Sequence, residues 1–499
     1  MCLAVSVERL ETSLGVDLRC VGTGPFSGLL GDLSDRMERH STDTPALREI
    51  VSRAAFGQQA SLRGPNSAVS LADAARMTII SGREKELEDR RILIAAKDQL
   101  NVALALIELD GFASRIVICP PDYTADQLAW VVSSAKIDAI LCDEGTGDVP
   151  ACAPVYLIGA PTLSETTPER RRGTTEWVLP TSGTTGAPKL VAHDLTRLLG
   201  AIRNGPATGE QPVWTTFYDI RRYGGLQVFL RAATCGATLV LSEPGESLAA
   251  HVQRCQAAGV THIAGTPSHW RRLLMSPYIN SLRPKYVRLS GEIADQAVLQ
   301  RLQAAYSQAQ IVHAYASTEA GVVFEVHDVQ QGFPVQLLGE REGVELRVVD
   351  GVIRVRSSRS AIDYIGADGR RLRDEEGFID TDDAVDLRGD RFHFLGRRTG
   401  VVNIGGLKVH PEEVESAINM HPQVHMSLVK ARKNPIIGDI IVAEVMLKDE
   451  ARDKERHILR EEILSICREH LHRHKVPAVL KFVAALNVVP SGKLERRRA

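Results

Sequence analysis

Apolar and polar positions change rhythm several times along the 499 residues. The first ninety carry few regular runs, and SLADAARMTIISGREKELEDRR predicts helix toward its charged end. From Arg91 short apolar runs alternate with amphipathic ones. RILIAA, SRIVICP and DAILCD predict strands, while NVALALIELDG and DYTADQLAWVVSSAK predict helices. The same alternation returns in GLQVFLRAATCGATLVLSE and SLAAHVQRCQAAGVTHIAGTP. Strands that alternate with helices predict a parallel, doubly wound sheet.

After Gly332 the texture becomes strand-rich. VELRVVDGVIRVRS and GDRFHFLG show short alternating runs around Asp-Gly and Gly-Asp turns. A final unit begins near Arg397, with a helix in PEEVESAINM, strands in HMSLVKAR and IIVAEVML, and a helix in RDKERHILREEILSICREHL. In that last helix Leu459, Ile463 and Ile466 fit the i, i+4, i+7 stripe of a packed face. The pattern therefore predicts α/β plus α+β architecture. A large domain, 1–396, combines doubly wound sheets with a smaller β-rich subdomain. A small α+β domain, 397–499, follows a turn, GRRTG, and hinges on it.

Composition narrows the partners. Hydrophobic residues make up 44% and charged residues 24%, which leaves material for a sizeable core. A formal net charge of -2 provides no global field toward nucleic acid or an anionic membrane, so an anionic ligand needs a local arrangement. The eight cysteines contain no CxxC pair and read as reduced, packed thiols of a cytoplasmic protein. No apolar run approaches the roughly 18 residues of a membrane span.

The densest chemistry is WVLPTSGTTGAPKLVAHD. Thr181, Ser182, Gly183, Thr184, Thr185 and Gly186 precede Pro188 and Lys189. Glycines let backbone N–H groups approach an anion, and hydroxyls and a lysine add donors, so the loop suits a polyphosphate. A Walker loop needs Gly-Lys-Ser/Thr, whereas Lys189 stands between Pro188 and Leu190. The kinase-type reading fails there.

The loop resembles the Ser/Thr-Gly-rich loop of the adenylate-forming superfamily, which includes acyl- and aryl-CoA synthetases, peptide-synthetase adenylation domains and beetle luciferases. Further segments resemble that family's motifs in order. LSGEIAD supplies Ser290, Gly291 and Glu292 beside the adenine. HAYASTEAG supplies Ala314, Tyr315, Ala316, Ser317, Thr318 and Glu319, with Ala316 where the family has glycine. GFIDTDDAVDL places Asp383 at the ribose-binding aspartate and Asp382 where the family has glycine. FLGRR supplies Arg397, NIGGLKVHPEEVE supplies Gly405, Gly406 and Lys408, and PSGKLERRR supplies Lys493.

The resemblance implies activation of a small carboxylic acid by Mg·ATP as its acyl-adenylate, then transfer to the thiol of CoA. Lys493, Thr184 and Glu319 take catalytic roles under it, with Glu319 holding Mg2+. Gly405 and Gly406 serve the thioester half-reaction. Two alternatives stand beside it: loading of a carrier protein's phosphopantetheine, and a non-catalytic nucleotide-binding relative. The hinge departs from the family pattern, with Thr399 where Asp or Lys is usual and the permissive Gly400 after it. By position Arg221 and Tyr223 fall near the acyl site, and Gly265, Thr266 and His269 are wall candidates. Few of these are large and apolar, which favours a small or aromatic acid. His470, His472 and His474 are interleaved with Arg473 and Lys475 at a helix end, where cations suit the helix dipole better than a metal does.

Overall fold

In the strand Arg91–Ile94, Ile92 and Ile94 turn to one core and Leu93 to another. Arg115–Ile118 repeats this with Ile116 and Ile118 against Val117. Strand side chains alternate faces, so these runs must be covered on both sides. The computed structural model describes residues 44–56, 59–146, 149–150, 152–164, 174–181, 188–203, 211–243, 245–366, 371–404, 407–434, 438–448, 455–487 and 493–494.

Among the described residues, one sheet has seven strands. Their order is Tyr364–Ile365, Lys189–His193, Glu176–Thr181, Arg115–Ile118, Arg91–Ile94, Ala139–Cys142 and Val155–Leu157. The last five run parallel, and Lys189–His193 turns back antiparallel to Glu176–Thr181. A second sheet runs Gly321–Val326, Gln310–Ser317, Tyr286–Ser290, His262–Gly265, Val213–Thr216, Thr238–Val240, Ser61–Arg63, Ala68–Ser70, with its six central strands parallel. Between the sheets lies the helix Gln99–Leu109, whose residues are all buried except Asn101. A helix buried on nearly every side has no solvent face to offer. It and the helix Tyr223–Thr234 share one core with Ile92 and Ile94 from one sheet and Leu62, Leu239 and Ala264 from the other.

A six-stranded antiparallel sheet follows, from Phe333–Pro334 to Arg391–Arg397. Its hairpin Val344–Val349/Val352–Ser357 turns at Asp350 and Gly351, with φ of +51° and +72°. Positive φ at both turn residues matches the strand twist. The C-terminal unit has its own core, in which the helices Pro411–Asn419 and Arg456–His470 cover the strands Val424–Asn434, Gly438–Leu447 and Val479–Phe482.

Two expectations shift. Residues 71–90 form only two four-residue helices, Leu71–Ala74 and Glu84–Leu87, around the strand Met77–Thr78. The run Thr78-Ile79-Ile80 is β-branched and Gly82 sits at φ +77°, which together break a longer helix. In Arg456–His470 the buried stripe is Leu459, Ile463 and Cys467, while Ile466 is half-buried. The spacing i, i+4, i+8 brings the small, readily buried cysteine inward.

Residues from Pro45 onward form one compact unit. Arg271 forms a buried ion pair with Asp295, which also accepts from Asn419 Nδ2 at 3.0 Å. Arg271 donates to the His425 carbonyl at 3.3 Å and Arg301 to that of Val424 at 2.7 Å. The C-terminal core is thereby held against the helices Pro267–Met275 and Gln296–Ala305.

Candidate active site

The parallel strands of the eight-stranded sheet end side by side, and open α/β sheets bind ligands off those carboxyl ends. Val213–Thr216 leads to Phe217 and Tyr218, His262–Gly265 to Thr266, Tyr286–Ser290 to Gly291 and Glu292, and Gln310–Ser317 to Thr318 and Glu319. Neighbouring strands thus gather segments distant in the chain. The Tyr218 hydroxyl donates to the Ser290 carbonyl at 2.7 Å and lies 2.9 Å from Ser290 Oγ. Burial raises its pKa, so it stays a neutral donor.

Thr266 caps the helix Pro267–Met275 in a reciprocal box with His269. Burial pushes the His269 imidazole down to about 3, so the ring is neutral. Phe217 packs 5.7 Å from that ring, and a Cβ on Gly265 would meet Phe217 at 2.9 Å. Aromatic rings therefore fill the end of this strand, and Gly265 cannot grow a side chain without moving one.

Thr181 and Lys189 face each other as register partners across an antiparallel pair. Ser182, Gly183, Thr184, Thr185 and Gly186 lie outside the described residues, as do Gly405 and Gly406. Lys189 Nζ sits 5.5 Å from the Tyr364 ring centre. His193, on the same strand, is bonded through Nε2 to the Thr318 carbonyl at 2.8 Å. Ala320 N–H donates to Ser317 Oγ at 2.9 Å, and Ala361 N–H to the Glu319 carbonyl at 2.9 Å. These bonds hold the half-buried Glu319 in a fixed turn. One hard carboxylate fits Mg2+, which takes one or two protein carboxylates and completes its shell with phosphate and water.

Tyr315 and Ala316 mark a bulge in the strand pairing. Tyr315 packs between Phe324 and Phe394 at 5.3 and 5.2 Å, and its hydroxyl donates to Asp383 at 2.6 Å. Burial lifts the Asp383 pKa, while the Tyr315 bond and the Arg397 guanidinium at 3.7 Å oppose that. Asp383 and Arg397 are register partners in one hairpin. Asp382 has φ +64°, the left-handed conformation glycine adopts freely, so its replacement of the family glycine keeps the turn. It accepts from the Thr399 N–H at 3.3 Å and from the Thr399 hydroxyl, and Arg398 lies 3.3 Å from its other oxygen.

Lys493 brings the C-terminal segment into this cleft. Its Cε is 3.8 Å from where a Cβ on Gly291 would lie, and Gly291 has φ +84°. The residue as a whole is exposed, but its ammonium is crowded enough for desolvation to lower its pKa. Glu292 and Asp383 oppose that shift, while Arg397 and Arg222 add to it. Lys408 is instead exposed on the ribbon Val402–Ile404/Leu407–Val409.

Arg221 has its guanidinium committed to protein acceptors. It is fully buried, its Nε and Nη2 donate to Asp219 at 2.7 and 2.6 Å, and Nη1 donates to the Ala96 carbonyl. Its neighbour Arg222 pairs with Asp122 and is close enough to act on Lys493. Tyr223 opens the helix Tyr223–Thr234, with its ring 5.8 Å from His193. Tyr218, one residue before Asp219, belongs to no local motif, and its partner, Ser290, is 72 positions away.

A model of the AMP-binding enzyme family matches residues 89–352, and one of the AMP-binding enzyme C-terminal domain matches residues 413–493. The chain belongs to the AMP-binding enzyme family. This AMP-binding enzyme is 25% identical over 481 residues to a dimodular nonribosomal peptide synthase of Bacillus subtilis (strain 168), covering 85% of the chain and 20% of the synthase. It is 29% identical over 288 residues to a 2-succinylbenzoate–CoA ligase of Salmonella typhimurium, covering 55% of the chain and 58% of the ligase. The chain thus spans less than two thirds of either relative. Its fold matches the crystal structure of the anthranilate CoA ligase AuaEII in complex with anthranoyl-AMP, with a TM-score of 0.74 at 18% identity, over 90% of this chain and 95% of that one. AMP-binding enzymes of this kind are adenylate-forming ligases, and they include both CoA ligases and carrier-protein ligases. No described helix is long and apolar enough to cross a membrane.

Proposed function

We propose that this protein condenses a small or aromatic carboxylic acid with ATP to an acyl-adenylate and passes the acyl group to the thiol of CoA. The observation that carries this reading is the Lys493 ammonium beside Gly291, among Glu292, Asp383 and Arg397. An acid oxygen attacks the α-phosphorus, the bond to the bridging oxygen breaks, and pyrophosphate leaves. Negative charge grows on the α-phosphate, and a cation aimed there lowers the barrier. Thr181, Lys189 and the loop between them cradle the phosphates, and Tyr315, Asp383 and Arg397 hold the ribose. Glu319 is the residue that would hold Mg2+, which neutralises phosphate charge when bound. The packed rings of Phe217 and His269 against Gly265 favour a short or flat acyl group.

In the second half-reaction a thiolate attacks the acyl carbon and AMP leaves. Residues 397–499 then act as the mobile domain, 1–396 as the fixed one, and Thr399–Gly400 as the pivot. Gly405 and Gly406 serve the thioester half-reaction, and Lys408 serves the nucleotide as a second cation.

Pyrophosphate release, screened across aromatic acids, short aliphatic acids and amino acids, tests the first half. Failure of every acid would leave a nucleotide-binding relative without catalysis. Thioester formation with free CoA is expected; formation only with a phosphopantetheinylated carrier would move the acceptor there. Lys493→Ala should lose about 2.7–4 kcal/mol of transition-state stabilisation, roughly a hundred- to a thousand-fold in adenylation. Transfer from supplied acyl-adenylate should persist, and equal loss of both halves would overturn the role given to Lys493.

A further inference from the structure

Glu292 has both carboxylate oxygens committed to protein donors. Oε2 accepts from the Ser268 N–H at 2.9 Å, and Oε1 accepts from the Ser268 hydroxyl at 3.0 Å and from the Leu494 N–H at 3.3 Å. Ser268 is the second residue of the helix Pro267–Met275 and is 3% exposed. The carboxylate therefore rests on the positive end of a helix in the large sheet region, where a negative charge is stabilised. Its third donor comes from 202 residues away, on the residue that follows Lys493. Of about four lone-pair directions on a carboxylate, three are taken. Little capacity is left for the nucleotide.

We propose that Glu292 is a positioning residue that docks the Lys493–Leu494 segment onto the helix Pro267–Met275 and so aims the lysine into the cleft, rather than a group that reads adenine. This rests on the adenylation role of Lys493. Ser268 fixes the carboxylate, the carboxylate fixes the Leu494 backbone, and the backbone sets where the preceding side chain starts. Gly291, bare on the side facing Lys493, leaves the lysine its path. The same carboxylate raises the Lys493 pKa against desolvation, so docking and protonation have one source.

The experiment compares the full chain with Glu292→Gln in acid-dependent pyrophosphate exchange over pH, using ATP and the acid that reacts fastest in the screen above. The expected result is a tenfold or greater fall in kcat, with KM for ATP within twofold of the parent. The alkaline limb should move to lower pH, because a lysine without that anion loses its proton sooner. In a Lys493→Ala background the same change should cost nothing further. A raised KM for ATP at unchanged kcat would make Glu292 a nucleotide contact and overturn the proposal. So would an equal loss in both backgrounds, which marks general damage. Should Glu292→Gln fail to fold, Ser268→Ala removes one of the three donors while keeping the carboxylate, so it is judged by a fall in kcat at unchanged KM for ATP that vanishes in the Lys493→Ala background, with the alkaline limb left in place. If Lys493→Ala adenylates at the parental rate, the catalytic reading itself falls. If Lys493→Ala is impaired and Glu292→Gln behaves as the parent, only the positioning role falls.

Discussion

Arg221 and Tyr218 sit three positions apart and are held in different surroundings. The guanidinium of Arg221 is enclosed by Asp219 and the Ala96 carbonyl, while the Tyr218 hydroxyl reaches across to Ser290 at the strand ends. Removing one partner of a buried ion pair leaves the other charge stranded, at a cost of about 3–5 kcal/mol. Arg221→Met should therefore lower stability by that order in urea unfolding, with the preference among acids unchanged in the folded protein. A changed acid preference at full stability would return Arg221 to the acyl site. Tyr315, Asp383 and Arg397 could be named from the sequence because their segments resemble motifs of a known family, and the folded chain brings them together, with the Tyr315 hydroxyl bonded to Asp383 and Arg397 at 3.7 Å from that carboxylate. Tyr218 and the docking role of Glu292 were not legible. Their partners lie 72 and 202 positions away, and only the order of strands in the sheet makes them neighbours.

Strands in this chain were readable where burial on both faces forced apolar runs, as in RILIAA and SRIVICP. The helix at the charged end of SLADAARMTIISGREKELEDRR was readable but its length was not: it spans only Glu84–Leu87, since the β-branched run at 78–80 and Gly82 stop it from extending back. Where the parallel strands begin, Arg91 clamps Asp138 through Nε at 2.9 Å and Nη2 at 2.8 Å, and its N–H adds a third bond at 3.0 Å. That arginine pulls the Asp138 carboxyl down from 3.8 to about 2. A depressed carboxyl stabilises the fold above its unfolded pKa and loses that contribution as pH falls through the folded value. Asp138→Asn should therefore be less stable than the parent at pH 6, and the gap should close between about pH 4 and 2. Urea midpoints across that range check it, and a gap independent of pH would assign the effect to packing.

At the scale of the whole molecule, the C-terminal core touches the large region through Arg271, Asp295, Asn419 and Arg301, and through the Glu292–Leu494 contact. This arrangement places Lys493 in the cleft and leaves the Lys408 ribbon exposed, and under the proposed function the thiol half-reaction uses a different one. Gly400 lies in the 3-10 turn Arg398–Gly400, with open space around it except for Arg397 Cβ at 3.9 Å. Gly400→Pro fixes φ there and restricts Thr399 before it. Acyl transfer from supplied adenylate should slow tenfold or more while adenylation persists. Transfer at the parental rate would place the pivot elsewhere.

The bond between Asp382 and Thr399 bears on how this chain can be recombined with others. Both residues stand where the family pattern has something else, and they hold each other. A chimera cut at 396/397 would import a foreign residue at 399 while keeping Asp382, leaving a strained aspartate facing a mismatched partner. The two positions form one heritable module that straddles the apparent seam, and residues in direct contact do not exchange additively. A workable graft carries both across, or neither.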